Sequence, residues 1–171
     1  MMAPCPAFRP GVAYAAMRTV DQWLAEYGES HRNPANKLLH WICVPVIVLS
    51  MVGLLWYLPV PQTLRAASPL LNWGTVLLVG AVVYYVAISW SLALGMVLFA
   101  GAVLGCLVWL QTLPWPLWIL CLGLFVVAWI GQFIGHHYEG KRPSFFKDVQ
   151  FLLIGPLWLL SFVYRKLRIP Y

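Results

Sequence analysis

The four histidines of the chain stand in two groups, "HRNPANKLLH" with His31 and His40, and "GHHYE" with His136, His137 and Glu139. Asn36 and His40 are four residues apart and His136 and Glu139 three apart, so each pair shares one helical face; His31 precedes Pro34 and can fold back beside them. Neutral imidazole suits iron, zinc, copper or nickel. Two or three histidines with a carboxylate and open positions form the ligand set of mononuclear non-haem iron oxygenases. Other uses of the same residues stay open on sequence alone. Interfacial histidines can simply present a polar tip to lipid headgroups, with Glu139 paired to a neighbouring Lys or Arg. A structural zinc site, a proton relay and haem ligation are further readings, although haem bundles place their histidines well inside the helices. A di-iron hydroxylase needs more histidines than the chain has.

Whether the two groups meet depends on the segments between them. The chain has 171 residues, of which 62% are hydrophobic and 9% charged, with a mean hydropathy of +0.79. An average soluble domain has about one-quarter charged residues. The chain therefore reads as an all-α integral membrane protein of one multipass helical domain over residues 18–171. Residues 1–17, proline-rich and without the layout of a cleavable signal, are expected to form a disordered tail. Cys5, Cys43, Cys106 and Cys121 form no CxxC pair, and the last three read as small core residues within apolar segments. The net charge of +6 lies in segments flanking apolar runs. Membrane lipid headgroups rather than nucleic acid are the expected partner of that charge.

In "TVDQWLAEYGES", Thr19 and Gln22 have capping-box spacing and Val20, Trp23, Leu24 and Tyr27 share a face, which predicts a short interfacial helix ended by Gly28. Asn33 is the expected cap and Pro34 the first residue of span one, with a kink at Pro45. After a turn over 59–69, residues 70–88 form span two. Residues 90–110 form span three, whose Gly95, Gly101 and Gly105 offer small faces for packing. Span four covers 113–137, with Trp115 and Trp118 as interfacial aromatics. The last apolar run, 149–164, is short for a span and interrupted by Gly155 and Pro156, so a re-entrant or interfacial element is expected.

Charge supports four crossings. Arg9, Arg18, Arg32 and Lys37 precede span one, Lys141, Arg142 and Lys147 follow span four, and Arg165, Lys166 and Arg168 close the chain, while the other loops hold only Arg65. An even number of spans places all three basic groups, both termini and all four histidines on the cytoplasmic face.

Together, "HRNPANKLLHWICVP" (31–45) and "WIGQFIGHHYEGKRPSFFKD" (129–148), separated by three apolar spans, resemble the small multipass family of 2-hydroxy fatty acid dioxygenases known from yeast phytosphingosine degradation and from bacteria. The family's first motif falls on His31, Asn33, Pro34, Asn36 and His40, its second on Gln132, Gly135 and His136, followed by Glu139 and Pro143. Here the glutamate follows the histidine by three residues instead of the four of the yeast-like pattern, and His137 occupies a position that the pattern leaves open.

The resemblance implies Fe(II)-dependent α-oxidation, in which a long-chain 2-hydroxy fatty acid and O₂ give a fatty acid one carbon shorter. It implies His31, His40 and His136 as metal ligands, with Glu139 as a ligand or hydrogen-bond partner and His137 a less secure candidate. Asn33, Asn36 and Gln132 are expected to orient the ligating groups. Such a substrate keeps its acyl chain in hydrocarbon and its carboxylate beside positive charge, here Arg32, Lys37, Lys141 and Arg142. The expected setting is a bacterial cytoplasmic membrane.

Overall fold

The computed structural model describes residues 18–68, 70–143 and 150–171 and shows over them seven helices and no strand. These are α1 (Val20–Gly28), α2 (Pro34–Trp56), α3 (Gln62–Ala67), α4 (Trp73–Ile88), α5 (Trp90–Leu110), α6 (Leu117–Glu139) and α7 (Phe151–Leu167). The expected tail over 1–17, and Cys5 within it, lie outside the described residues.

Local chemistry sets the helix starts as the sequence predicts. Thr19 and Gln22 form a reciprocal capping box at α1. The Asn33 side chain accepts the Ala35 amide at 2.9 Å, and Pro34 opens α2. Pro45 sits inside α2, which continues through it to Trp56.

Three helices, α2, α5 and α6, are long and apolar enough to cross a membrane. Val79, Val83, Leu94, Leu98 and Val127 are all more than 60% exposed, an outward apolar surface that lipid covers and water does not. The chain is a helical membrane protein. The second expected span is realised as the 16-residue α4, about 24 Å long at about 1.5 Å per residue against about 30 Å of hydrocarbon. The segment expected as a plain turn contains the short helix α3.

The interruption expected at Gly155 and Pro156 in the last element is absent. Helix α7 runs unbroken through Gly155 and Pro156 for 17 residues. Its residues from Ile154 to Leu159 are all buried, enclosed by α1, α2 and α5. Tyr85 Oη donates to the Leu153 carbonyl at 2.8 Å, and Tyr164 Oη to the Ser91 carbonyl at 2.7 Å. Gly95 is the glycine of α5 that packs as expected, since a Cβ there would overlap Leu160 and Tyr164. Gly101 and Gly105 face open space, and Cys106 is exposed rather than in the core. Both corrections have one cause: Val103 and Leu107 hold the buried stripe of that stretch, which turns Gly101, Gly105 and Cys106 outward.

Helices α2 and α6 form the central antiparallel pair. Asn36 lies against Gly135, Cys43 against Gly131 and Gly53 against Cys121, and a Cβ at any of these glycines would overlap the facing side chain. Glycine at these positions permits the close approach of the two helices, which puts the start of α2 beside the end of α6.

Candidate metal centre

His31, on the connection between α1 and α2, His40 on α2 and His136 on α6 converge at this end of the pair. They are 1%, 1% and 4% exposed. Their rings are mutually near perpendicular, with centroids 4.2 Å (His31–His40), 5.0 Å (His31–His136) and 5.1 Å (His40–His136) apart. One nitrogen from each lies within 4.8 Å of the others. Among the described residues this is the group of His, Cys, Asp or Glu arranged to hold a metal ion.

The tautomers follow from the hydrogen bonds. His31 Nδ1 lies 2.6 Å from the Tyr27 carbonyl oxygen, and His40 Nδ1 lies 2.9 Å from that of Asn36. A carbonyl only accepts, so both Nδ1 atoms carry the proton in the neutral ring, and both Nε2 atoms carry a lone pair. Those two Nε2 atoms face each other at 2.8 Å. Two lone pairs at that distance repel unless a cation or proton lies between them. His136 Nδ1 adds a third buried nitrogen with no hydrogen-bond partner. The donor set therefore fits a metal ion, and the carbonyls behind His31 and His40 are the partners that fix ring orientation in such sites.

Burial first, with the neighbouring His136 adding to it, drives the His31 pKa down to about 4, although the bond to the Tyr27 carbonyl opposes the shift. The ring is neutral at physiological pH, the form a metal requires. Tyr27, stacked on His31 at 4.2 Å with an interplanar angle of 11°, has its phenol pKa pushed up by burial. Trp158 of α7 covers His31 as well, at 5.2 Å.

Glu139 takes a separate position. Its carboxylate accepts the backbone N–H of Arg32 and of Asn33, both at 2.8 Å, and Asn36 Nδ2 at 3.1 Å. Asn33 Nδ2 donates to the Tyr138 carbonyl at 3.1 Å, and Lys141 Nζ to that of Glu29 at 2.9 Å. These bonds tie the segment carrying His31 to the end of α6. Asn36 also donates to the Ser30 carbonyl at 3.1 Å. His137 is exposed and is not part of the three-histidine group.

Two cavities meet at the imidazoles. One of about 230 Å³ is apolar and is headed by His40, His136 and Gln132, with Val44, Ile47 and Trp129 among its walls. Gln132 Nε2 is buried there without a hydrogen-bond partner. The other, about 340 Å³, reaches His31 and is lined by Arg32, Lys37, Asp21 and Arg165. Of the four cations proposed from sequence, Arg32 and Lys37 border this polar cavity, Lys141 is engaged at Glu29, and Arg142 is exposed.

Tyr27, Trp158 and Arg165 have no place in the sequence-derived site. Tyr27 had a usable signal, since it lies four residues before His31. Trp158 and Arg165 had none, because only the docking of α7 brings them close.

Fold and site together define a helical membrane protein with a buried tri-imidazole metal-type centre at one end of its bundle. The chain belongs to the 2-hydroxy-palmitic acid dioxygenase Mpo1-like family, whose sequence description matches residues 17–167. Comparison with curated proteins finds no match, and comparison with solved structures finds none either.

Proposed function

We propose that this chain is an Fe(II)-dependent dioxygenase that converts long-chain 2-hydroxy fatty acids into fatty acids one carbon shorter. One observation carries the metal: the Nε2 lone pairs of His31 and His40 face each other at 2.8 Å beside the unpartnered Nδ1 of His136. The family supplies the substrate class. Three imidazoles would hold Fe(II) and leave positions for a 2-hydroxy carboxylate and O₂, and iron so held supplies the O₂ activation that the reaction needs.

The residues do the rest. The Tyr27 and Asn36 carbonyls hold His31 and His40 in the ligating tautomer. Glu139 clamps the Arg32–Asn33 backbone to α6, a structural role that the notably full hydrogen bonding of its carboxylate favours over ligation. The unpartnered Gln132 amide is placed to donate to the substrate's polar head, with Arg32 and Lys37 holding the potential positive around it. The apolar cavity excludes water from the reacting carbons.

The same reading places α4 as a fourth crossing in a locally thinned bilayer, both termini and the histidine end on the cytoplasmic side, and residues 18–171 as one domain. The basic residues flanking α2, α6 and α7 support that orientation. The setting proposed is a bacterial cytoplasmic membrane.

Detergent-purified protein should bind iron at about one ion per chain and consume O₂ with 2-hydroxypalmitic acid. Stoichiometric zinc retained without O₂ consumption after iron loading would replace this reading with a structural metal site. Absence of any bound metal under iron-replete conditions would remove it.

A further inference from the structure

The apolar cavity has a regular construction. Along α2 its wall is His40, Val44, Val48 and Met51, at offsets of four, eight and eleven residues from the histidine. Along the antiparallel α6 it is His136, Gln132, Trp129 and Phe125, at four, seven and eleven residues before the histidine. The two series form facing rungs at matched depth, so the cavity is a slot parallel to the helix pair. It begins at the imidazoles and reaches Met51 and Phe125. Eleven residues of helix correspond to about 16 Å. One leaflet's acyl chains fill about half of the roughly 30 Å hydrocarbon core, a closely similar length. Ile47, Met51, Phe125 and Trp129 are part-exposed on the lipid side, so a single acyl chain can slide in sideways without leaving the bilayer.

Beside the slot at Val48 and Met51, toward α4 and α5, lies a second apolar cavity of about 60 Å³, room for roughly two methylene-sized groups beside the volume of a water molecule. Val48, Met51 and Leu152 line both spaces and so form the partition between them. Val48 and Leu152 are branched, whereas Met51 is unbranched and adaptable and its length sets how far the slot extends.

We infer that the slot between α2 and α6 receives the acyl chain of a single-chain carboxylic lipid with its head at the imidazoles, and that Met51 is the specificity-determining residue that measures chain length. This rests on the dioxygenase reading for the chemistry of the head alone. Shortening Met51 opens the second cavity, and enlarging it fills the lower rung. Each methylene admitted or displaced changes binding about fourfold.

The test uses the full chain in detergent. A 2-hydroxy palmitic-length acid carrying a terminal diazirine is photolysed with the metal-free protein, and adducts are mapped by mass spectrometry. Adducts are expected at Met51, Val48, Phe125 or Leu152. Separately, competition binding ranks 2-hydroxy acids of graded length on the wild type, Met51→Ala and Met51→Trp. Met51→Ala should shift the optimum upward by about two carbons, and Met51→Trp should weaken palmitic-length binding about tenfold or more while sparing shorter acids. Adducts confined to outward residues such as Val79 or Val83, or an unchanged ranking in both variants, would overturn the assignment. If either variant fails to fold, the wild-type adduct map still decides. Adducts in the slot without O₂ consumption by the iron-loaded protein would uphold the slot and remove the dioxygenase. Turnover with adducts elsewhere would do the reverse.

Discussion

Replacing Glu139 separates two roles that the sequence leaves joined. As a ligand, its carboxylate would be indispensable to metal binding. As the clamp seen here, it holds His31 in place through Arg32 N–H, Asn33 N–H and Asn36 Nδ2. Hydrogen bonds to a charged group contribute about 1.5–3 kcal/mol each when buried. Because Glu139 is only part-buried, values at or below the low end apply. Glu139→Gln keeps one acceptor oxygen but turns an amide donor toward the second backbone N–H, a loss of about 1.5 kcal/mol. Glu139→Ala loses all three bonds, about 3 kcal/mol. Expressed in the placement of His31, these correspond to iron affinity reduced about 10-fold and about 100-fold, the range found for partners that orient metal ligands. The assay is anaerobic iron titration against a chromophoric chelator, which reports affinity and stoichiometry separately. Both variants should reach one iron per chain at saturation. If Glu139→Gln binds as tightly as the wild type, the clamp does not position the site. If it fails to load at any concentration, the carboxylate is itself a ligand.

Three further outcomes follow from the geometry. Alanine at His31, His40 or His136 should each remove stoichiometric metal, whereas His137→Ala should load normally, as measured by elemental analysis. Gly135→Ala would set a Cβ 2.5 Å from Asn36 Oδ1, so it should lower thermal stability by about 1–3 kcal/mol and weaken metal binding, while Gly105→Ala, which meets nothing, should change neither. Acid should destabilise the metal-free protein. His31 has a pKa near 4 folded and near 6.5 unfolded, so the unfolded state takes up the proton first, and stability falls between pH 6.5 and 4 by up to about 1.4 kcal/mol per pH unit from this group. Chemical denaturation across that window checks the slope, and bound metal, by holding folded His31 neutral below pH 4, should extend the fall to lower pH.

The parts of this molecule that were legible in sequence are those fixed by local chemistry. The Thr19–Gln22 box, the Asn33 cap with Pro34, and the three long apolar runs needed only neighbours in the chain. The meeting of His31, His40 and His136 was legible through one further expectation, drawn from the charge pattern, that the start of α2 and the end of α6 lie at the same level. What could not be read depends on contacts without periodicity. Helix α7 was expected to break at Gly155 and Pro156. It stays continuous because the protein encloses it: Gly155 makes room for Tyr27 Oη, and Pro156 packs between α2 and α5. Trp158 and Arg165 reach the site only through the docking of α7, which no local pattern announces. The role of Glu139 was ambiguous for a related reason, since a carboxylate one turn from a histidine points equally well toward a metal or toward the backbone of a neighbouring segment.

The position of the imidazoles between two unlike cavities bears on why the centre is built at a helix end. His40 and His136 face the apolar slot, while His31 faces the cavity bordered by Arg32, Lys37 and Arg165. An acyl chain gains about 0.8 kcal/mol for each methylene kept out of water, whereas its carboxylate loses several if drawn into hydrocarbon without a partner. The two demands are met together only where apolar and polar spaces share a wall. In this chain that wall is made of the residues best able to hold a metal. A centre moved two turns deeper into α2 would sit beside Val48, within the apolar wall of the slot and away from Arg32 and Lys37. The connection between α1 and α2, clamped by Glu139, supplies a histidine from outside the spanning helices, and with it access to the polar side. The tether at Glu139 holds that histidine in place through the Arg32 and Asn33 amides, and so joins the two cavities at one point.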